Sequence, residues 1–105
     1  MIKKVLFILF LFISSVGFSQ KSLTKLSAAP NPFVNQTKIT FVSDSDQTIT
    51  LNVKNILGKT VYRRRHKVKK GKNLIPFSKN DLKSGMYIYA LQNSKELVSK
   101  RFVIK

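Results

Sequence analysis

The sequence has no cysteine and no tryptophan, one histidine, and four acidic residues among 105. Without cysteine it can form no disulfide, the usual reinforcement of small exported domains. Nor can a lipid-modified N-terminal cysteine hold it in a membrane. The four acids, Asp44, Asp46, Asp81 and Glu96, are scattered and do not suggest the paired carboxylates of acid–base chemistry. Long hydrophobic runs are also missing. The longest, Val5 to Val16, is apolar except for Ser14 and Ser15. It falls well short of the ~20 residues that cross a hydrocarbon core.

That short run is better explained by its flanks. Lys3 and Lys4 precede it, and Gly17-Phe18-Ser19 follows with small residues at the −3 and −1 positions of a cut before Gln20. This is the three-part pattern of a cleaved signal peptide. The expected organisation is a signal peptide over residues 1–19 and one domain over residues 20–105. An exported protein is expected, carried through the inner membrane into the periplasm and then secreted or displayed on the cell surface.

What the sequence has in excess is positive charge. Twenty lysines and arginines against four acids give +16. Without Lys3 and Lys4 the balance is eighteen against four, or +14. Such a charge favours anionic partners. A domain of this size buries only ~60% of its unfolded surface, so its stability rests on a modest aliphatic and aromatic core.

No segment of the domain shows 3.6-residue apolar spacing. Period-2 runs bounded by turn residues dominate, which is the strand signal. Strands are predicted at Leu23–Ala28, Thr37–Val42, Gln47–Lys54, Lys59–Lys69, Lys72–Phe77, Met86–Gln92 and Glu96–Ile104. The inward positions are Ile39 and Phe41; Ile49, Leu51 and Val53; Ile75 and Phe77; and Tyr87, Tyr89 and Leu91. Leu82 is the expected plug of an irregular connection from Ser78 to Gly85. Asn55-Ile56-Leu57-Gly58 reads as a tight turn, with Gly58 free to take positive φ. Seven short strands at this spacing predict an all-β, antiparallel sandwich. Tyr87 and Tyr89, alternating on one strand, are expected in its core with their hydroxyls reaching the rim.

Candidates for chemistry are few. His66 sits within Arg63-Arg64-Arg65-His66-Lys67, where neighbouring charge favours the neutral ring. No nucleophile-elbow pattern accompanies it, so no enzyme activity, cofactor or metal site is expected. Asp44 and Asp46 lack the loop that would complete a calcium site and read as a solvated turn. Asn35-Gln36-Thr37 fits a glycosylation triplet and reads as a loop-to-strand junction.

The basic run from Arg63 to Lys72 is the densest feature. Alternation places charge on both faces of a strand there, which is compatible only with an edge strand or a projecting hairpin. Edge lysines commonly block pairing between sheets. The alternative is a polyanion-binding surface built from Arg63, Arg64, Arg65, Lys67, Lys69, Lys70 and Lys72, taking lipopolysaccharide or an acidic glycan. Only Tyr62 borders the run, so no nucleic acid is expected as a partner.

Several pieces recur in an ordered series: Pro30-Asn31-Pro32-Phe33, Ile39-Thr40-Phe41, Leu51-Asn52-Val53, Leu57-Gly58-Lys59-Thr60-Val61, Gly71-Lys72-Asn73-Leu74-Ile75, Leu82-Lys83-Ser84-Gly85-Met86-Tyr87 and Lys100-Arg101-Phe102-Val103-Ile104-Lys105. From Leu26 to Lys105 the sequence resembles the type A C-terminal sorting domain of the type IX (Por) secretion system of Bacteroidetes. The resemblance implies an immunoglobulin-like β-sandwich read by the secretion translocon, with shuttle and sortase components as further partners and anionic lipopolysaccharide as a possible attachment for cargo. It implies that Gly85, Tyr87 and the closing strand, with Lys100, Arg101, Val103, Ile104 and Lys105, carry the export signal. Pro30, Asn31, Pro32 and Phe33 mark the entrance of the domain, and Gly58 matches the family's hairpin glycine. Only Gln20 to about Ala29 separate the predicted cut from the first motif, so no cargo is evident. The domain is then expected to be the exported product itself, a competitor for the export machinery, or a gene remnant. It is expected to be a monomer.

Overall fold

The computed structural model describes residues 21–105, so the predicted signal peptide lies outside the described residues. Seven strands follow in order: β1 (Leu23–Ala29), β2 (Gln36–Ser43), β3 (Gln47–Asn55), β4 (Thr60–Val68), β5 (Gly71–Ser78), β6 (Gly85–Gln92) and β7 (Leu97–Ile104). They make two antiparallel sheets, one ordered β1-β2-β5 and the other β4-β3-β6-β7. The fold is an all-β antiparallel sandwich, as the strand spacing predicts, and it agrees with the immunoglobulin-like form that the resemblance implies.

Alternation explains the register. Ile39 and Phe41 on β2 turn inward beside Ile75 and Phe77 on β5. Ile49, Leu51 and Val53 on β3 face them from the other sheet, together with Tyr89 and Leu91 on β6 and Phe102 and Ile104 on β7. A one-residue slip of any of these strands would send its apolar set to solvent, so the pairing is strongly specified. The aromatic members pack on one another. Phe102 stacks on Tyr89 at 5.0 Å and meets Phe33 edge-on at 5.1 Å. Leu82 half-buries itself against this core, as expected of a plug.

β1 is built differently. Its two buried leucines, Leu23 and Leu26, are three residues apart, a spacing that flat alternation cannot accommodate. The register against β2 shifts between Thr24 and Ser27, and Lys25 takes φ = 55°. The extra residue of this bulge restores the inward direction for Leu26.

The antiparallel path gives the sandwich two poles. One carries Ser22, the β2–β3 and β4–β5 turns and the β6–β7 turn. The other carries residues 30–35, the β3–β4 hairpin, the β5–β6 connection and Lys105. Hydrogen bonds knit each pole: Asp44 N donates to Ser22 O at the first, and Lys79 N donates to Asn35 O at the second.

Candidate functional site

The Pro30-Asn31-Pro32-Phe33 stretch lies against the edge of β7. Proline has no N–H to offer a ladder, so a continuous strand cannot form here. Both prolines follow cis peptide bonds. The Asn31 side chain replaces the missing backbone partner. Its Nδ2 donates to Arg101 O at 3.2 Å, and its Oδ1 accepts from Val103 N at 2.9 Å. Phe33 extends the contact: its N donates to Val103 O at 3.0 Å, and Lys105 N donates to its carbonyl at 2.8 Å. A single parallel bridge, Phe33 with Ile104, results. The Phe33 ring is buried between Phe77 and Phe102. The buried Thr37 hydroxyl donates to Pro30 O at 2.7 Å and fixes the start of the segment.

The other predicted motif residues converge on the same pole. Gly85 pairs with Ile104 and takes φ = 149° at the start of β6. Tyr87 is buried against Phe102, and its hydroxyl donates to Lys83 O at 2.7 Å, tying the β5–β6 connection to the sheet. Both tyrosines therefore belong to the core, as their alternation suggests. Gly58 occupies the β3–β4 hairpin at φ = 84°. Asn55 organises that turn, its Oδ1 accepting from Leu57 N and Lys59 N, each at 3.0 Å. Along the closing strand Lys100, Arg101 and Lys105 are exposed, Val103 is half-buried and Ile104 is buried. Thus the two ends of the motif series, about seventy residues apart in sequence, form one continuous structure.

The basic run does not form one patch. β4 is indeed an edge strand. Arg63, Arg65 and Lys67 pair with Asn52, Thr50 and Thr48 on the outward face of the sheet. Tyr62, Arg64 and His66 pair with Val53, Leu51 and Ile49 on the face toward the core. Tyr62 packs edge-on against Phe77 at 5.2 Å, while Arg64 remains exposed at the margin. Lys69 and Lys70 form the β4–β5 turn, where Lys70 N donates to Asp46 Oδ1 at 2.9 Å. Lys72 pairs with Val42 in the other sheet. Burial first, and the Arg64 charge second, hold the His66 imidazole below its ordinary pKa. The sequence suggests the charge effect but not the larger contribution of burial. His66 Nε2 is buried and meets no hydrogen-bond partner among the described residues.

A feature at the opposite pole escaped the sequence reading. Glu96 Oε1 accepts from Ser22 N at 2.8 Å, from Leu23 N at 3.0 Å and from the Ser22 hydroxyl. Asn93 braces the group, donating to Ser22 Oγ and to Gln47 Oε1 at 2.9 Å each. The Ser22 hydroxyl and these backbone donors hold the Glu96 carboxyl below its ordinary pKa, against a smaller upward push from burial. The available signal was scarcity: Glu96 is one of four acids in a chain of +16.

The search among curated proteins finds no match. A family model described as the secretion system C-terminal sorting domain matches residues 27–105. That span begins in β1 and takes in the Asn31–Phe33 segment, every later strand and the closing residues it grips. The chain therefore belongs to the secretion system C-terminal sorting domain family and carries a type IX sorting signal for export across the outer membrane.

Proposed function

We propose that the pole formed by Asn31, Phe33 and the end of β7 is the surface the type IX machinery reads. The single observation that supports this is the pairing of Asn31 and Phe33 with the backbone of Arg101, Val103 and Lys105. It gives the closing strand one conformation and leaves the charged side chains of Lys100, Arg101 and Lys105 exposed. A partner then meets a preformed arrangement and avoids the cost of ordering a loose tail. In this reading a leader over residues 1–19 takes the chain through the inner membrane. Translocon, shuttle and sortase components engage the folded domain as a monomer, and anionic lipopolysaccharide is the acceptor if the sortase removes it.

A reporter fused ahead of residues 20–105 tests the proposal in a host that has this system. Wild-type fusions should reach the cell surface or medium. Replacing Lys100, Arg101 and Lys105 with serine should strand the reporter in the periplasm while the domain stays folded. Surface delivery of that folded variant at the wild-type level would overturn the assignment of the reading surface.

A further inference from the structure

The outward face of the β4-β3-β6-β7 sheet carries a cationic ladder on the edge strand β4, across the sheet from β7. Alternation puts Arg63, Arg65 and Lys67 on one face, successive side chains about 7 Å apart. All three are exposed. Across the strands their rows continue into neutral hydrogen-bonding groups: Thr50 and then Gln92 beside Arg65, and Thr48 beside Lys67. A shallow hollow beside Arg63 and Arg65 is lined by Gln47, Thr48, Thr50, Gln92, Asn93 and Ser94, with Lys67 further along the strand.

Two properties define what fits there. First, no carboxylate stands on this face. Asp46 accepts from the Lys70 amide, Glu96 is engaged with Ser22, and Asp44 and Asp81 lie in the polar turns. The positive potential is therefore uncompensated along the whole ladder. Second, among the described residues no aromatic ring is available on this face as a stacking platform. Tyr62 packs against Phe77, and Tyr87 and Tyr89 are buried in the core. Single-stranded nucleic acid draws much of its affinity from such stacking. A linear polyanion of sugars needs none. It offers repeating phosphate, sulfate or carboxylate groups to the arginines and hydroxyls to the threonines and Gln92.

We infer that this face binds an anionic polysaccharide laid along β4, through Arg63, Arg65 and Lys67. The turn residues Lys69 and Lys70, and Lys72 on the other sheet, stand outside the site. That distinction separates a defined surface from the effect of net charge alone.

Dextran sulfate is the probe, and its binding to the purified protein is measured as a function of salt. Substituting R63S, R65S and K67S together should lower the log–log salt slope by about 3, one for each lost contact. Substituting K69S, K70S and K72S together removes the same charge and should leave most of that slope. All six side chains lie outside the core, and near-ultraviolet circular dichroism verifies folding. Equal losses in the two triple variants, or no loss in the first, would overturn the inference. So would tighter binding to a single-stranded oligonucleotide or to anionic phospholipid vesicles than to dextran sulfate at matched charge.

Discussion

Asn31 holds both sides of the Phe102 residue on the closing strand, donating to the Arg101 carbonyl and accepting from the Val103 amide. One side chain thus does for β7 what a neighbouring strand would do. Asn31→Ala removes both bonds and leaves the Val103 amide without this partner. A loss of about 1–2 kcal/mol follows from the usual net worth of such hydrogen bonds. Urea unfolding should register it, with hydrogen exchange accelerated at Val103. Asn31→Asp keeps the acceptor and loses the donor, so its cost should be smaller. Equal stability of wild type and Asn31→Ala would mean that the contact is incidental.

Phe33 should be the most sensitive position of the same segment. Its ring fills the space between Phe77 and Phe102. Phe33→Ala opens a cavity there and should cost about 3–5 kcal/mol. In a small domain that is a large share of total stability. Calorimetry should show a transition tens of degrees lower, at about 4–8 °C for each kcal/mol.

The Glu96 carboxyl links stability to pH. Its pKa is lower in the folded state than its ordinary 4.5, so folding favours the charged form. The contribution is complete above the ordinary value and disappears as pH falls through the lower, folded value. Glu96→Gln should therefore be less stable than wild type at pH 7, and the gap should narrow in acid. Urea midpoints at pH 7 and below pH 4 measure it. A gap of constant size would show that protonation of Glu96 plays no part.

His66 acts in a neighbouring window. Its folded pKa lies below 6.5, so the folded state favours the neutral ring. The associated stability is present above pH 6.5 and is lost as pH falls through the folded value. Arg64→Ser removes one of the two causes and should move the imidazole titration upward in a nuclear magnetic resonance experiment. Burial keeps it from returning fully to the ordinary value.

Gly58 should matter for its backbone alone. A Cβ there would meet nothing within 4 Å, yet φ is +84°. Gly58→Ala should cost about 1–2 kcal/mol from that conformation. Gly58→Asn should cost less, since asparagine tolerates the left-handed region. Thermal melts of the two variants distinguish conformational cost from steric exclusion.

Most of the architecture was legible because each strand alternates cleanly between core and solvent. β3 is the plainest case: Ile49, Leu51 and Val53 all prove buried. β1 departs from alternation for a reason the structure supplies. A left-handed lysine in a bulge puts Leu23 and Leu26 on the same side, and no period-2 template contains that residue. Of the candidate site, the sequence indicates the residue groups but not their union. Asn31 meets Val103 across 72 positions, and nothing in the local spacing announces such a bond. The Glu96 contact with Ser22 spans 74 and was hidden for the same reason. Grouping Arg63 to Lys72 by proximity in sequence also misled, because turning the chain distributes that run over two sheets.

The Glu96 anchor has a mechanical consequence. Ser22 and Leu23 are held to the start of β7, whose far end is held by Asn31 and Phe33. Tension on the backbone ahead of Ser22 is thus shared with the closing strand and directed along its length. The closing strand is fastened at both ends, and its release requires the bonds at both poles to break.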